Sequence, residues 1–200
     1  MAVVTQKRMT LEEYLSYNDA ADARYELVDG VLVEMGAENP LNANIAVFLL
    51  VYFVRQIGVP YSRLAIGHQI GVDSSKATAR QPDLIVHSPE SSVAILEDGK
   101  LLRPNMPAPL LVVEVVSNSK TDPKSRDRDY SEKAEEYAKR GISEYWIVDP
   151  DEALIKVGVL ASGSYNFVAI RGRQTISSPT FPQLGLTVDE VLTAGAGQIN

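Results

Sequence analysis

Two acidic residues lie in or beside short apolar runs, where an ionised carboxylate is unfavourable. Glu114 interrupts the run from Leu110 to Val116, and Asp83 directly precedes the run from Leu84 to Val86. A buried, unpaired carboxylate costs several kcal/mol or takes up a proton, so Glu114 needs a cation, hydrogen-bond donors or an open active-site edge. If the two runs are neighbouring strands, both carboxylates converge, and Mg²⁺ or Mn²⁺ prefers such oxygen ligands.

A lysine on a predicted helix completes a candidate catalytic set. The segment Asp129 to Arg140 has helical spacing, and Asp129, Lys133 and Tyr137 recur every four residues on one side of it. A divalent cation lowers the pKa of its bound water and polarises a phosphate, while a nearby ammonium positions the nucleophile. Asp83, Glu114 and Lys133 therefore indicate metal-assisted phosphodiester hydrolysis.

Each candidate also has a purely structural interpretation. Asp129 and Lys133 fit an exposed ion pair on a helix, and Asp83 fits a turn that follows Pro82. Glu114 has the weakest structural interpretation, because a buried strand interior is an unfavourable place for an acid.

The elements that must position these residues begin with a strand-helix-strand unit. Leu110 to Val116 and Glu144 to Val148 are typical of buried strands, and the helix from Asp129 to Arg140 lies between them. Two strands joined by such a crossover are parallel, and the helix covers one face of their sheet.

The chain before this unit carries clear local signals. Thr10 and Glu13 form a capping box that opens a helix to about Tyr17, and Asp29-Gly30 predicts a two-residue type I′ hairpin turn. The hairpin alternation places Glu26 and Glu34 on one face, which is either solvated or functional. The other predicted segments are an apolar helix from Asn39 to Ile57, a strand from Tyr61 to Val72, a polar turn from Asp73 to Thr78, and a loop from Ser91 to Met106 that holds one edge segment, Val93 to Leu96.

After Pro150 the pattern changes to short strands separated by Ser-Gly turns. These strands are predicted to extend the sheet in antiparallel fashion, and a short helix ends the domain. The predicted segments are Ala153 to Leu160, Tyr165 to Ile170, Gln174 to Ile176 and the helix Asp189 to Leu192.

Composition indicates one α/β domain that spans residues 1–200. A chain of 200 residues with 45% hydrophobic content suffices for one hydrophobic core. The predicted domain comprises an N-terminal helix and hairpin (10–35), a core (39–150) and a C-terminal strand extension (151–193). The absence of cysteine excludes disulfides and favours a cytoplasmic location. The longest apolar run, Ile45 to Val54, is too short to span a bilayer, so no membrane association is expected. His68 and His87 lie in no metal-ligand spacing and receive no role.

Five motifs in order resemble the Uma-two family of restriction-endonuclease-like proteins, a branch of the PD-(D/E)XK nuclease superfamily. The motifs are RYELVDG, QPDLIV, PLLVVEVVSNS, D-x-x-x-K-x-x-x-Y-x-x-x-G and EYWIVDP, between Tyr25 and Pro150. The resemblance implies an α-β-β-β-α-β core with residues 39–57 and 129–140 as its helices. It also implies that Asp83 belongs to the PD motif and that Glu114 is the acid of the third motif.

The sequence departs from the superfamily pattern two residues after Glu114, where Val116 stands in place of lysine. The resemblance suggests that Lys133 replaces this lysine and that Glu26 completes the metal site with Asp83 and Glu114. Glu38 or Asn42 stands where other superfamily members place an early acid.

The resulting functional hypothesis is a Mg²⁺- or Mn²⁺-dependent endonuclease that acts on DNA as a homodimer. Two alternatives stay open: a catalytically silent binding or assembly module with the same fold, and a hydrolase of a small phosphoester. A net charge of −7 argues against a dedicated nucleic-acid coat. The basic residues of the connector either contact phosphates or form a solvated loop; they are Lys120, Lys124, Arg126 and Arg128.

Overall fold

A computed structural model of the chain describes residues 8–17, 25–35, 39–73, 77–99, 101–117, 120 and 127–195. Its helices are α1 (Leu11–Ser16), α2 (Pro40–Tyr52), α3 (Pro89–Asp98), α4 (Lys133–Lys139) and α5 (Val188–Gly195). Its strands are β1 (Tyr25–Val28), β2 (Val31–Glu34), β3 (Leu64–Ala65), β4 (Gln69–Asp73), β5 (Ala77–Arg80), β6 (Leu84–Val86), β7 (Leu101–Leu102), β8 (Leu111–Val115), β9 (Glu144–Asp149), β10 (Leu154–Ala161) and β11 (Ser164–Arg171).

The strands form two mixed sheets. The central sheet has the order β11-β10-β9-β8-β6-β3, and the hairpin sheet has the order β2-β1-β5-β4-β7. In the central sheet β3, β6 and β8 are antiparallel neighbours, β8 and β9 are parallel, and β10 and β11 extend the sheet in antiparallel fashion. The succession α2-β3-β6-β8-α4-β9 confirms the predicted α-β-β-β-α-β core.

The strand-helix-strand unit directs Glu114 towards one particular helix. Every residue of β8 is buried, and Leu111 pairs in parallel with Glu144 as predicted. Because successive strand side chains point to opposite faces, Val113 and Val115 pack in the core formed with α2, whereas Val112 packs with Tyr137 of α4. Glu114 shares the face of Val112 and therefore points at α4.

The N-terminal hairpin has the predicted turn but a different arrangement of its acids. Asp29 and Gly30 have φ angles of 48° and 78°, as a type I′ turn requires. Glu26 lies opposite Val33, and directly opposed residues share a face, so Glu34 lies on the other face of the hairpin. The prediction that both acids share a face was wrong, because the two-residue turn reverses the alternation. Glu26 is buried and Glu34 is exposed.

The predicted loop from Ser91 to Met106 contains a helix instead. Ser88 caps α3 by accepting a hydrogen bond from the Ser91 amide, Pro89 lies in the first turn, and Gly99 ends the helix with a φ of 73°. These are standard helix start and stop residues, and they override the apolar spacing that suggested an edge segment at Val93 to Leu96. The only strand described between residues 91 and 106 is β7.

Four other predicted segments differ in extent. Residues 61–72 form a 3₁₀ turn followed by β3 and β4, which belong to different sheets, and β5 begins inside the predicted polar turn. Residues 174–176 contribute one bridge, between Thr175 and Thr187, rather than a strand. The last helix begins at Val188, one residue before the predicted start, and extends to Gly195.

The first core helix begins and ends as predicted. The Asn39 side chain accepts a hydrogen bond from the Leu41 amide, and α2 continues as a π turn, Phe53–Ile57, to Gly58. In the described part of the chain, the helix at residues 40–57 is the one whose length and mean hydropathy of 1.4 would suffice to cross a bilayer. Ile45 and Leu49 are fully buried in the central core, and a core helix meets the same criteria, so this observation is weak evidence for a membrane.

Candidate active site

Lys133 lies between two buried carboxylates. Its Nζ atom is 2.8 Å from Glu114 Oε2 and 2.9 Å from Asp129 Oδ1, and none of the three side chains is more than 6% exposed. The predicted approach of Lys133 to Glu114 is therefore observed. The alternative of an exposed Asp129–Lys133 pair is wrong, because this face of the helix packs on the central sheet.

The hydroxyl groups of two buried tyrosines form hydrogen bonds with Glu114 and Asp129. The Tyr137 hydroxyl donates to Glu114 Oε1 over 2.7 Å, and the Tyr145 hydroxyl donates to the Asp129 backbone carbonyl over 2.7 Å. Both rings are fully buried, as expected of core aromatics with hydrogen-bonded hydroxyls. Each Glu114 oxygen thus faces one donor, which determines the orientation of the carboxylate.

A widened helical turn precedes α4 and carries Asp129. Residues Arg128–Glu132 form a π turn, in which the Lys133 amide donates to the Arg128 carbonyl. Such turns occur frequently at functional sites, because the extra residue changes the direction of the side chains. Asp129, Lys133 and Tyr137 all reach the Glu114 cluster from this one face.

The Asp83 side chain forms a hydrogen bond with the backbone of β8, at the residue that follows Glu114. The Val115 amide donates to Asp83 Oδ2 over 2.6 Å, and β6 and β8 are antiparallel neighbours in which Leu84 pairs with Val113. The predicted proximity of the two acid-bearing strands is therefore observed. The Asp83 carboxylate joins the start of β6 to the end of β8, which goes beyond a role in a local turn.

Glu26 approaches the same region from the hairpin sheet. Its Oε1 atom accepts from the Gln81 amide over 2.9 Å, and its Oε2 atom lies 3.4 Å from Arg80 Nη1. Arg80 is fully buried and forms a two-point contact with Glu136 of α4, at 2.8 and 3.0 Å. Arg80 therefore connects Glu26 to the helix that carries Lys133.

The balance of burial and neighbouring charges raises the pKa values of both Glu114 and Lys133. Burial raises the pKa of Glu114 to about 8; Lys133 opposes this shift, whereas Asp129, Asp83 and Glu26 add to it. Burial alone would lower the pKa of Lys133, but Glu114, Asp129 and Glu26 together raise it above the ordinary lysine value. Lys133 is not the only cation beside these acids, since Arg80 lies 3.4 Å from Glu26 and Arg128 lies 3.6 Å from Asp129. Lys133 is a permanent cation in contact with Glu114 and Asp129.

The donor set suits a hard divalent cation, although no preformed cage is present. Among the described residues, no three histidine or acidic side chains converge around a common point at metal-binding distance. Mg²⁺ commonly uses one or two carboxylates together with waters and substrate phosphate. Asn42 donates to the Val115 carbonyl over 2.6 Å and to Ser117, while its buried Oδ1 atom has no hydrogen-bond partner in the described structure. A cation or its water would satisfy this oxygen, so the residues fit the ion.

The remaining predicted residues have mixed outcomes. Val116 is buried in the core beside Tyr137, so a lysine at this position would have to bury its ammonium there. Glu38, Lys124 and Arg126 lie outside the described residues, and Lys120 is exposed.

Sequence reasoning missed the Arg80–Glu136 pair beside the site, and it considered the Asp129–Lys133 pair only as an exposed one. The four-residue spacing of Asp129, Lys133 and Tyr137 was a usable signal, since it placed them on one helix face. Arg80 and Glu136 are 56 positions apart and had no comparable signal.

Comparison with known proteins agrees with the fold and with the motifs. The structure resembles the crystal structure of a putative nuclease belonging to DUF820 from Anabaena variabilis, with a TM-score of 0.69 and 15% sequence identity. The alignment covers 94% of this chain and 99% of that chain, and at this identity it shows a shared fold. No curated protein matches the sequence. The profile of the Uma2 family, described as "Putative restriction endonuclease", matches residues 11–189. This chain therefore belongs to the Uma2 family of putative restriction endonucleases, the Uma-two family that its motifs resemble.

Proposed function

We propose that this protein is a Mg²⁺- or Mn²⁺-dependent endonuclease that hydrolyses phosphodiester bonds in DNA. The observation that carries the proposal is the acid cluster around Glu114. Lys133 Nζ contacts Glu114 and Asp129 at 2.8 and 2.9 Å, and Asp83 and Glu26 lie close enough to raise the pKa of Glu114 further. Acids with strongly shifted pKa values, gathered from separate elements, are typical of functional sites. The membership of the family and the fold support nuclease function.

The proposed ion would be held by Asp83 and Glu114, with Glu26 on the neighbouring sheet as a further acid. When bound, the ion would polarise a phosphate and lower the pKa of an attacking water. The pairing of these acids with backbone amides and Tyr137 keeps their oxygens oriented before substrate arrives.

Lys133 is proposed to donate hydrogen bonds rather than to accept a proton. Its neighbouring acids raise its pKa, so the ammonium persists at neutral pH. A permanently charged donor cannot act as a general base, but it can orient a phosphate oxygen or a water and offset developing negative charge. Asp129 and Glu114 hold the ammonium from two sides and thereby limit its motion.

Cleavage of supercoiled plasmid DNA tests the proposal. Glu114→Gln preserves side-chain size but removes a metal-binding charge, so we expect Mg²⁺-dependent cleavage to fall by at least about 100-fold. Glu34→Gln is the matched control, because Glu34 is exposed on the opposite face of the hairpin. Both variants should give the far-UV circular dichroism spectrum of the parent protein.

Substrate comparison separates the alternatives. Hydrolysis of a small phosphodiester together with inactivity towards plasmid DNA would replace the DNA substrate with a small phosphoester. Absence of any Mg²⁺- or Mn²⁺-dependent hydrolysis in folded parent protein would refute the enzymatic proposal and leave a binding module.

The homodimer also remains part of this proposal. Among the described residues, α2 exposes Val47 and Val51 one helical turn apart, and such exposed apolar side chains favour a protein partner. A second copy is the partner that we propose, since a two-fold interface uses the same patch twice. Light scattering should give a dimer for the parent chain and a monomer for Val47→Glu/Val51→Glu. A monomeric parent would refute this part. Cytoplasmic location stays a prediction from the cysteine-free sequence.

A further inference from the structure

The only two histidines of the sequence meet in the folded chain. His68 and His87 are 19 positions apart, yet His68 Nδ1 lies 3.3 Å from His87 Nε2. His68 precedes β4 of the hairpin sheet, and His87 follows β6 of the central sheet. The pair therefore bridges the two sheets. Asp83 lies at the opposite end of β6, about 13 Å away at the usual strand rise, so the pair is separate from the candidate active site.

We propose that His68 and His87 form a two-histidine binding site for a transition-metal ion of the Zn²⁺, Ni²⁺ or Cu²⁺ class. Two nitrogens bound tetrahedrally at about 2.0–2.1 Å from one Zn²⁺ ion are separated by about 3.3 Å. The observed separation equals this value. The two ring nitrogens are therefore already separated as two ligands of one ion would be.

The surroundings of His87 prepare its Nε2 atom to bind. His87 is buried, and its other ring nitrogen, Nδ1, lies 3.1 Å from the Oγ atom of buried Ser91. When Nδ1 carries the proton and donates it to Ser91, Nε2 presents its lone pair to the space beside His68. Metal-binding histidines usually have such a hydrogen-bond partner on the second nitrogen.

The backbone around His87 is also held in place. The His87 amide donates to the Arg63 carbonyl over 2.7 Å, and Arg63 Nε donates to the His87 carbonyl over 2.8 Å. The Arg63 charge weakens cation binding, and no acid joins the two rings in a three-ligand group among the described residues. The remaining coordination positions are therefore left to water. His68 is only partly buried, which gives an ion access from solvent.

The histidine pair and the acid cluster suit different classes of metal ion. Imidazole nitrogens suit Zn²⁺, Ni²⁺ and Cu²⁺, whereas Mg²⁺ prefers oxygen ligands. Burial lowers the pKa of both histidines, that of His87 to about 4, so both rings are neutral and able to bind at pH 7. Because the ion would connect β4 to β6, binding would stabilise the contact between the two sheets.

Thermal unfolding of tag-free protein with Zn²⁺ tests the site. At about 100 times the dissociation constant, we expect Tm to rise by roughly 5–10 °C for a chain of this length. The sequence has no cysteine and no other histidine, so the unfolded chain should compete weakly for the ion. His68→Asn should abolish the rise, and Ser91→Ala should weaken binding by about 10–100-fold. EDTA should reverse the shift in the parent protein, and Mg²⁺ should not produce it.

A second measurement keeps the test valid if a variant unfolds. Zinc should shift the ring ¹⁵N resonances of both histidines in the parent protein, at His68 Nδ1 and His87 Nε2. Glu114→Gln should retain the zinc-dependent rise in Tm, whatever its effect on DNA cleavage, because Glu114 lies in the other site. Unperturbed ring resonances at saturating Zn²⁺, or a rise in Tm that His68→Asn retains, would overturn the proposal.

Discussion

Replacement of Lys133 by methionine tests whether its ammonium holds the acid cluster together. Methionine is similar in length and apolar, so the change removes the charge with little loss of packing. The Lys133 side chain is 5% exposed, and its Nζ atom contacts Glu114 and Asp129 at 2.8 and 2.9 Å. Removal of one partner from a buried ion pair destabilises a protein by about 3–5 kcal/mol.

For Lys133→Met we expect a loss of stability at the lower end of the range of about 3–5 kcal/mol. The pKa of Glu114 is about 8 even with Lys133 present, because burial and the other acids outweigh the ammonium. At pH 7 the Glu114 carboxyl is therefore already largely protonated. Asp129 is the charge that loses its close partner in Lys133→Met, since the half-exposed Arg128 side chain approaches it only to 3.6 Å. We expect a loss of about 3 kcal/mol, which corresponds to a decrease in Tm of roughly 6–12 °C for a domain of this size.

Urea and thermal unfolding at pH 7 without divalent ions measure this loss. Lys139→Met is the matched control, since Lys139 is an exposed residue of the same helix, and its loss should change stability by about 0.5 kcal/mol or less. In a double-mutant cycle, Glu114→Gln and Lys133→Met should couple by at least about 1 kcal/mol, as expected of residues in direct contact. Equal stabilities of Lys133→Met and Lys139→Met, or strictly additive losses in the cycle, would refute the buried ion cluster.

Two further predictions concern charged residues outside the Glu114 contact. Arg80→Met should reduce the free energy of unfolding by about 3–5 kcal/mol, because it leaves Glu136 and Glu26 buried without their cation. The control is Arg103→Met, which removes a more exposed pair of carboxylate contacts. In the same urea titration it should reduce the free energy of unfolding by about 1 kcal/mol or less. A comparable loss in both arginine variants would contradict this account. Because burial lowers the folded-state pKa of His87 from 6.5 to about 4, the unfolded chain binds a proton first as pH falls. The contribution of neutral His87 to the free energy of unfolding is thus complete above pH 6.5 and is lost between pH 6.5 and 4, by up to about 3 kcal/mol. In metal-free buffer, urea unfolding across this pH range should show a smaller loss of stability for His87→Gln than for the parent protein. Equal losses of stability in both proteins would show that His87 does not cause the pH dependence.

Local patterns in the sequence were enough to predict the elements that carry the site. The Asp29-Gly30 turn, the Asn39-Pro40 helix start and the strand-helix-strand unit around Glu114 depend on contacts between residues near in the chain. Such signals arise from backbone geometry and side-chain periodicity, which short segments already contain. The burial of Glu114 and the approach of Lys133 were predictable for the same reason, since an acid in an apolar strand needs a compensating group.

Local patterns failed where two interpretations compete within a short segment. Val93 to Leu96 suggested an edge strand, but Ser88, Pro89 and Gly99 mark the start and end of a helix. In the hairpin, the type of turn was clear, whereas the face of Glu34 depended on the pairing register.

Contacts between distant residues were decided by tertiary structure alone. Arg80 reaches Glu136 across 56 positions, and His68 meets His87 only because two separate sheets pack together there. The spacing of these residues in the sequence does not predict either contact, because the packing of whole sheets and helices determines which side chains converge. The sequence by itself determined which groups are available for chemistry and on which elements they lie. Only the folded chain decided which of them lie close enough to share a charge or an ion, since electrostatic and coordinate bonds act over a few ångströms in space.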